Sequence, residues 1–339
     1  MKKIRISIIG FGAVGQGVAK VIKEKREYLK KKNNFDLSVV AISDSKGSYI
    51  DEEGVDLKYA LDRKKEIGTV ASIKYSGYSG LEVIKKIDHE IVVEVTPTNI
   101  DNGEPGLTHM LTAFENSRHV VTSNKGPIAL YYKELCNCAN KNKVEFRYEA
   151  TVGGAMPIIN LAKEVLAGNE ILSIDGILNG TCNYILTRME KEGYSYEQAL
   201  SEAKEIGIAE ADPSYDVDGI DTACKLVILA NSIFNKNATF KEVEVTGITK
   251  ITPEALELAS KNDHVIKLIG EVRKNVLCVA PRLIPKNHTL AVGGTLNVAF
   301  IQTDLAGQIT VTGKGAGSIE TASAILSDII CISKNLNSN

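Results

Sequence analysis

The chain reads as an α/β protein in which a doubly wound parallel sheet comes first and a second, α+β unit follows. Three observations carry that reading. Short apolar runs near the N-terminus open onto turns rich in glycine or proline, and helical spacing follows the first of them directly. Beyond about residue 150 the pattern changes to Gly-rich turn, helix, strand and helix. Third, 339 residues suit two domains better than one small core. The expected division is 1–150 with 306–339 for the first domain and 151–305 for the second.

Ile4–Ile9 is almost continuously apolar, as a parallel strand covered on both faces should be. It feeds GFGAVG, residues Gly10, Phe11, Gly12, Ala13, Val14 and Gly15, and then a helical pattern through Val14, Val18, Val21 and Ile22. In a G-x-G-x-x-G turn the first glycine makes the tight turn and the second admits a pyrophosphate. The third lets helix and strand pack closely. The phosphates then meet the free N–H groups and positive dipole end of the helix. Such a motif alone is weak. A strand before it and a helix after it make it the signature of a Rossmann-type dinucleotide fold.

The second strand, Leu37–Ile42, ends at Ser43-Asp44-Ser45-Lys46. An acid there usually holds the adenine ribose hydroxyls, which favours NAD, and Asp44 fits. Lys46 and Lys58 offer charge for a 2′-phosphate instead, and a simple turn or N-cap would also use an aspartate, so NAD and NADP both stay open. Gly47–Gly80 reads as a helix-rich excursion near the adenosine end. His89–Val95 opens onto Thr96-Pro97-Thr98-Asn99, and His119–Thr122 opens onto Ser123-Asn124-Lys125-Gly126-Pro127. Ligands gather at the carboxyl ends of strands in such sheets, so Thr96, Pro97, Ser123, Asn124 and Lys125 are candidate cofactor contacts. Lys125 is the sharpest, because a strand precedes it and Gly-Pro restricts the backbone after it.

In the second half, EATVGGAMP (Glu149–Pro157) is a Gly-rich turn leading to a helix over Ile158–Ala167. A strand, Ile174–Leu178, runs into NGTCNYIL (Asn179–Leu186), where Asn179 and Thr181 are good helix caps. The most informative block is Gly207–Leu226, which holds Glu210, Asp212, Asp216, Asp218, Asp221 and Lys225. On the helix expected over Asp221–Phe234, Asp221 and Lys225 share one face. A solvated acidic loop with a surface ion pair would show the same letters. The alternative is a site for a small amino acid.

Bulk properties narrow the classes. A net charge of −2 offers no concentrated basic face for nucleic acid. The basic run Lys20–Lys32 carries Val21, Ile22, Tyr28 and Leu29 at helical spacing and reads as a solvated helix face. No apolar run approaches the roughly 20 residues of a membrane span, and the N-terminus runs straight into a strand rather than a signal peptide. Six scattered cysteines without C-x-x-C, and five histidines without a metal-spaced pair, point to reduced thiols in the cytoplasm and no zinc.

The order GFGAVG, SNKGP, EATVGGAMPI, NGTCNYIL and GIAEADPSYDVDGIDTACKL resembles homoserine dehydrogenase over nearly the whole chain. The closing GKGAGSIETASAILSDI, Gly313–Ile329, is similar to that family's last segment, which returns to the cofactor domain. The resemblance implies NAD(P)-dependent interconversion of L-homoserine and L-aspartate 4-semialdehyde in threonine and methionine biosynthesis. It implies that Lys225 and Lys125 flank the reacting carbon, with Asp221 orienting Lys225. Glu210 and Asp216 would hold the substrate amino group, with Gly180 and Thr181 also lining the substrate, and Gly317 would approach the nicotinamide. It further implies a sodium ion on backbone carbonyls at Glu149, Val152, Gly154 and Met156, and a homodimer formed through a substrate and dimerisation domain. The chain ends soon after Ile332, which leaves no room for the regulatory ACT domain that many bacterial members carry.

Oxidising an alcohol needs a base within about 2.6–3.2 Å of its oxygen, and an unperturbed lysine, near about 10.4, is a poor one. A second ammonium or burial lowers that value, while a carboxylate raises it. Lys225 is therefore expected to transfer the proton, directly or through water, with Lys125 polarising the oxygen. Two rivals remain. Aspartate semialdehyde dehydrogenase needs a nucleophilic cysteine, for which Cys182 and Cys224 are the candidates near the motifs. A sensor that binds cofactor without catalysis would not need both lysines and the acid cluster.

Overall fold

The computed structural model describes residues 1–71 and 77–338. They form two compact units, Met1–Thr151 with Gly317–Asn339, and Val152–Ala316.

The first unit is built on β1 (Lys2–Ile9), α1 (Ala13–Asn33), β2 (Phe35–Asp44), β3 (Gly47–Ile50), α2 (Leu57–Ile67), α3 (Gly80–Lys86), β4 (Ile91–Glu94), α4 (Gly106–Glu115), β5 (His119–Thr122), α5 (Lys125–Lys141) and β6 (Phe146–Arg147). The sheet order is β3-β2-β1-β4-β5-β6. All neighbours are parallel except β2 and β3. Ile4, Ile6, Ile8 and Ile9 of β1 and all of β4 are buried, as strands covered on both faces must be. The order reverses direction beside β1, so the carboxyl ends of β1 and β4 flank the crevice where such sheets bind ligands.

The segment after β2 differs from the helix-rich excursion expected there. It opens with a hairpin in which β3 pairs antiparallel with β2, and α2 follows; residues 72–76 lie outside the described part. Asp44 explains the turn. Its carboxylate accepts the Lys46 and Val70 amides at 2.9 Å each, the Thr69 hydroxyl at 3.0 Å and Lys64 Nζ at 2.8 Å. The side chain is only 5% exposed. Burial alone would raise its pKa, but these hydrogen bonds outweigh it and hold the group below its usual value.

The second unit contains β7 (Ile171–Ile177), α6 (Gly180–Glu192), α7 (Tyr196–Glu205), α8 (Ser214–Val217), α9 (Ile220–Ser232), β8 (Glu244–Val245), α10 (Pro253–Lys261), β9 (His264–Arg273), β10 (Val276–Pro285), β11 (Leu296–Thr303) and β12 (Gln308–Lys314). Its sheet runs β12-β11-β7-β9-β10-β8, antiparallel except where β8 joins β10. Helix α9 carries Asp221 and Lys225. Every residue from Asp221 to Ser232 is buried, so this is a core helix rather than an amphipathic one. The helix expected from Ile158 contains a π-helical turn over Leu161–Val165.

The chain was expected to return to the first domain at 306. Instead β12 pairs with β11 from Leu296↔Lys314 to Gln302↔Gln308. The reason is local: Gly307, at φ +72, closes a tight turn that folds the next residues back on β11. Residues 306–316 therefore belong to the second unit. Only the last helix, α11 (Ser318–Ser338), packs on the first. There Ser318 Oγ donates to the Ala13 carbonyl at 2.6 Å. A Cβ at Gly17 would stand 2.5 Å from the Ser318 carbonyl oxygen, which is why a glycine occupies that point of α1. Ile325, Ile329 and Ile332 complete the core with Val18 and Ile22.

Asp44→Ala should leave the buried donors of the hairpin without acceptors and cost about 2–3 kcal/mol in denaturant unfolding at neutral pH. Because the folded-state pKa is lowered, the charge-dependent part of this stability is present above the unfolded value of about 3.9. It fades as pH falls through the lower folded value, so the gap between wild type and variant should narrow below about pH 4. An unchanged gap there would show that the carboxylate charge contributes nothing.

Candidate active site

The glycine turn in the first unit has the shape a pyrophosphate needs. Gly10 adopts φ +101, and a Cβ there would meet the Val95 carbonyl at 2.5 Å. A Cβ on Gly15 would meet the Gly10 oxygen at 2.1 Å, so helix and strand approach as closely as glycine allows. Gly12 faces open space, with nothing within 4 Å of such a Cβ. It is also the N-cap of α1, with no side-chain cap and no acid in the first turn, leaving that helix end able to receive an anion. Ala13 is exposed and Val14 half-buried, whereas Phe11 is buried in the core and offers only its backbone.

The carboxyl ends of β4 and β5 form a second part. Glu94, the last residue of β4, is fully buried and accepts the Thr96 amide at 3.2 Å and the Thr96 hydroxyl. The Thr122 hydroxyl donates to the Glu94 carbonyl at 2.7 Å and accepts the Asn124 amide at 2.9 Å. Asn124 Nδ2 reaches Thr96 Oγ1 at 3.3 Å, which ties the two strand-end loops together. Lys125 then starts α5, half-buried. A Cβ on Gly126 would lie 2.1 Å from the Asn99 carbonyl, so only glycine lets the Lys125 loop sit against the Thr96–Asn99 loop. Pro97 is exposed beside it and Ser123 half-buried. Glu94 was not singled out from sequence, although a charge closing the apolar run IVVE was a signal for it.

Asp44, expected at the adenine ribose, is engaged elsewhere. Two donors on each oxygen, from its own hairpin, from α2 and from Thr69 and Val70 just after α2, fill the roughly four acceptor sites of a carboxylate. It therefore stands as the turn residue that the sequence also allowed.

The acid block lies in the second unit. Lys225 and Asp221, one turn apart on buried α9, pair at 2.7 Å, with side chains 9% and 5% exposed. Lys225 Nζ also donates to the Leu178 carbonyl at 2.5 Å. Asn179 caps α6 by accepting the Cys182 amide at 2.9 Å, and its Nδ2 donates to Asp216 Oδ1 at 2.6 Å and Asp221 Oδ2 at 3.0 Å. From sequence Asn179 was only a cap. Its second role depends on where α8 and α9 fall, which no local pattern reports. Thr181 donates to the Ile208 carbonyl at 3.2 Å rather than capping, and a Cβ on Gly180 would stand 2.8 Å from the Thr295 carbonyl. Glu210 is exposed and makes no hydrogen bond or ion pair among the described residues. Asp212 holds Ser214 through its amide and hydroxyl, and Asp218 is exposed before Gly219, both as turn residues.

The Gly-rich turn after Glu149 curls through Gly153 and Gly154, at φ +86 and +57. Met156 donates its amide to the Gly153 carbonyl at 2.9 Å and accepts from Ile158 at 3.0 Å. Glu149 donates its amide to Asp328 at 3.0 Å. Val152 is buried, and Gly317 adopts φ +130 before α11. Among the described residues no group of three or more His, Cys, Asp or Glu side chains could hold a metal.

The cysteines are free. Cys182 donates to the Asp216 carbonyl at 3.1 Å, and burial, with Asp216 and Asp221 nearby, pushes its thiol well above the usual value. Cys224 is buried and accepts from the Tyr215 hydroxyl at 3.4 Å. Cys182 is therefore not the activated thiolate an acyl-enzyme needs.

Comparison with known proteins adds a family. Residues 157–330 match the family model described as homoserine dehydrogenase, and residues 10–149 match its NAD binding domain. A homoserine dehydrogenase from Methanocaldococcus jannaschii is 59% identical over 96% of this chain and 98% of that one. A crystal structure from Archaeoglobus fulgidus, provisionally named a homoserine dehydrogenase, is 49% identical with a TM-score of 0.91, covering 97% and 99%. A hyperthermophilic archaeal homoserine dehydrogenase in complex with NADPH is 33% identical with a TM-score of 0.86, covering 98% of each chain.

Brief iodoacetamide treatment of the folded protein should leave Cys182 unmodified by mass spectrometry, with full modification after denaturation. Rapid labelling of the native thiol would mean that it is accessible and acidic after all.

Proposed function

The chain belongs to the homoserine dehydrogenase family, NAD(P)-dependent oxidoreductases that interconvert L-homoserine and L-aspartate 4-semialdehyde, and on that premise we propose which residues carry the chemistry. Lys225 moves the hydroxyl proton, and Asp221 holds its ammonium in place. The observation that carries this is the 2.7 Å pair on a fully buried helix, where neither group would persist without a task or a partner. Glu210 and Asp216 receive the substrate ammonium; exposed Glu210, with no partner of its own, suits that role. Gly180 and Thr181 line the substrate at the start of α6. Lys125 polarises the reacting oxygen.

When bound, the nicotinamide supplies the redox step by exchanging a hydride with the carbinol carbon. The chain's own part is positioning. Gly10, Gly12 and Gly15 bring backbone to the pyrophosphate, and the first turn of α1 neutralises its charge. Thr96, Pro97, Ser123 and Asn124 border the crevice at the strand ends, braced by Glu94, and Gly317 approaches the nicotinamide end. A relative from Pseudomonas canavaninivorans, 38% identical, is named NAD(+)-dependent, while the hyperthermophilic archaeal structure holds NADPH. We keep both cofactors for this chain.

A sodium ion on the carbonyls of Glu149, Val152, Gly154 and Met156 belongs to the same proposal. Oxygen-only donors suit a hard monovalent cation. The Met156 carbonyl, although it accepts Ile158, keeps a second lone pair. A cytoplasmic homodimer is the expected assembly. Light scattering at micromolar concentration that gave a monomer mass would remove the dimer.

The aldehyde-oxidising rival needs a reactive thiolate; Cys182 is held well above the usual thiol range, and Cys224 is buried. Followed through reduced-cofactor absorbance, homoserine oxidation should proceed, and Lys225→Ala should lower kcat by about 10²–10⁴-fold. Lys125→Ala should lower kcat/KM by about 10²-fold or more while melting within about 4 °C of wild type. Near-normal turnover by Lys225→Ala with an unchanged pH profile would falsify its assignment. Replacing sodium by a bulky organic cation should weaken activity if the cation site is real.

A further inference from the structure

We propose that Asn179 is a positioning residue that couples recognition of the substrate amino group to the orientation of Lys225. The proposal rests on the roles given above to Asp216 and Lys225.

Asn179 occupies the single point between β7 and α6 from which three elements are reached at once. Its Oδ1 faces along α6 and takes the Cys182 amide at 2.9 Å. Its Nδ2 has two hydrogens and two acceptors, Asp216 Oδ1 at 2.6 Å and Asp221 Oδ2 at 3.0 Å. That same Asp221 oxygen holds Lys225 Nζ at 2.7 Å, and the residue before Asn179 supplies the other acceptor of that ammonium, the Leu178 carbonyl. Asn179 is 6% exposed, so this amide is a fixed part of the interior.

Capping alone does not require this residue. An aspartate or serine caps a helix as well as asparagine does. What only a carboxamide offers here is one acceptor for the cap and two donors for two carboxylates. It draws Asp216 and Asp221 onto one nitrogen, against their mutual repulsion, and aligns the oxygen that carries Lys225. A substrate ammonium docking on Asp216 therefore acts on a carboxylate already hydrogen-bonded, through one amide, to the partner of the lysine.

The ionisable groups around Cys182, Asp216 and Asp221 come from four elements. Asp216 and Tyr215 lie on α8 and Asp218 just after it, Asp221, Cys224 and Lys225 lie on α9, Cys182 lies on α6, and Tyr196 lies on α7. Burial pushes the Cys182 thiol and the Tyr215 phenol well up, and Tyr196 up to about 12. Near neutral pH these three stay uncharged, which leaves the aspartates and Lys225 as the groups that a change at Asn179 would affect.

Two substitutions that preserve the cap provide the test. Asn179→Ser keeps an acceptor for the Cys182 amide but is too short, with one hydrogen, to bridge both aspartates. Asn179→Asp keeps size and cap but replaces the donors with a third carboxylate. Asn179→Ser should melt within about 4 °C of wild type, whereas Asn179→Asp, which sets a third carboxylate beside two, should melt lower. Both should lose about 10- to 100-fold in kcat/KM for homoserine, as small misplacements near a reacting centre do. Asn179→Asp should also move the pH–rate profile to higher pH, since an added carboxylate favours the lysine ammonium, whereas Asn179→Ser should not. If both variants kept wild-type kcat, KM and pH profile, Asn179 would be a cap and nothing more. Should the aspartate variant fail to fold, the serine variant decides alone. Lys225→Ala measured beside them separates the two readings. Retained turnover there removes the role of Lys225, and an inactive Lys225→Ala with normal Asn179 variants removes only the coupling.

Discussion

The second unit depends on one constraint: α9 is buried along its length yet contains Asp221 and Lys225. Placing two charges in a core is costly, and breaking such a pair costs about 3–5 kcal/mol, so their surroundings must satisfy them. The Leu178 carbonyl and the Asn179 amide do so, which ties the β7–α6 junction to α9. The cap of α6, the position of α8 and the direction of the lysine then follow from one set of hydrogen bonds. Replacing the pair by apolar residues of similar volume would relieve all of this, so the pair is not needed to hold a core helix together.

The first unit solves a similar problem at its strand ends. Glu94 closes a fully buried strand and would be expensive without partners. The Thr96 amide and the Thr122 hydroxyl, at 3.3 Å, donate to its carboxylate, and Asn124 links their two loops. The candidate cofactor residues are thus held by a carboxylate that itself stays out of reach. Asp44 plays the same part on the other side of the sheet, closing the β2–β3 hairpin. In both places a buried acid shapes a loop at the carboxyl end of a strand.

Much of this was legible locally. GFGAVG after an apolar strand is a mechanical requirement, since φ +101 at Gly10 and the 2.1 Å approach at Gly15 admit no other residue type. The strand His119–Thr122 follows from its β-branched Val120-Val121 pair, and the position of Lys125 directly after that strand follows from the Asn-Lys-Gly-Pro turn. The i,i+4 relation of Asp221 and Lys225 is a property of any helix. Three readings depended on more than local pattern. Asp44 has the letter of a ribose acid, but Lys64, Thr69 and Val70, distant in sequence, take its oxygens. β12 alternates like any edge strand, and which sheet it joins is decided by its pairing with β11, a register that alternation does not report. Asn179 reads as a cap because capping is local.

By itself, then, the sequence determined the period of each element, the glycines that backbone geometry demands, and which acids and lysines share a segment. These are short-range properties, set by sterics and spacing within a few residues. The tertiary structure alone decided which donor meets which acceptor. It buried α9 on all sides, turned a loop carboxylate at Asp44 inward, and set one amide at Asn179 between two aspartates that lie 37 and 42 residues further along the chain. The physical reason is that burial and hydrogen-bond saturation are long-range properties, and no sequence window contains both partners.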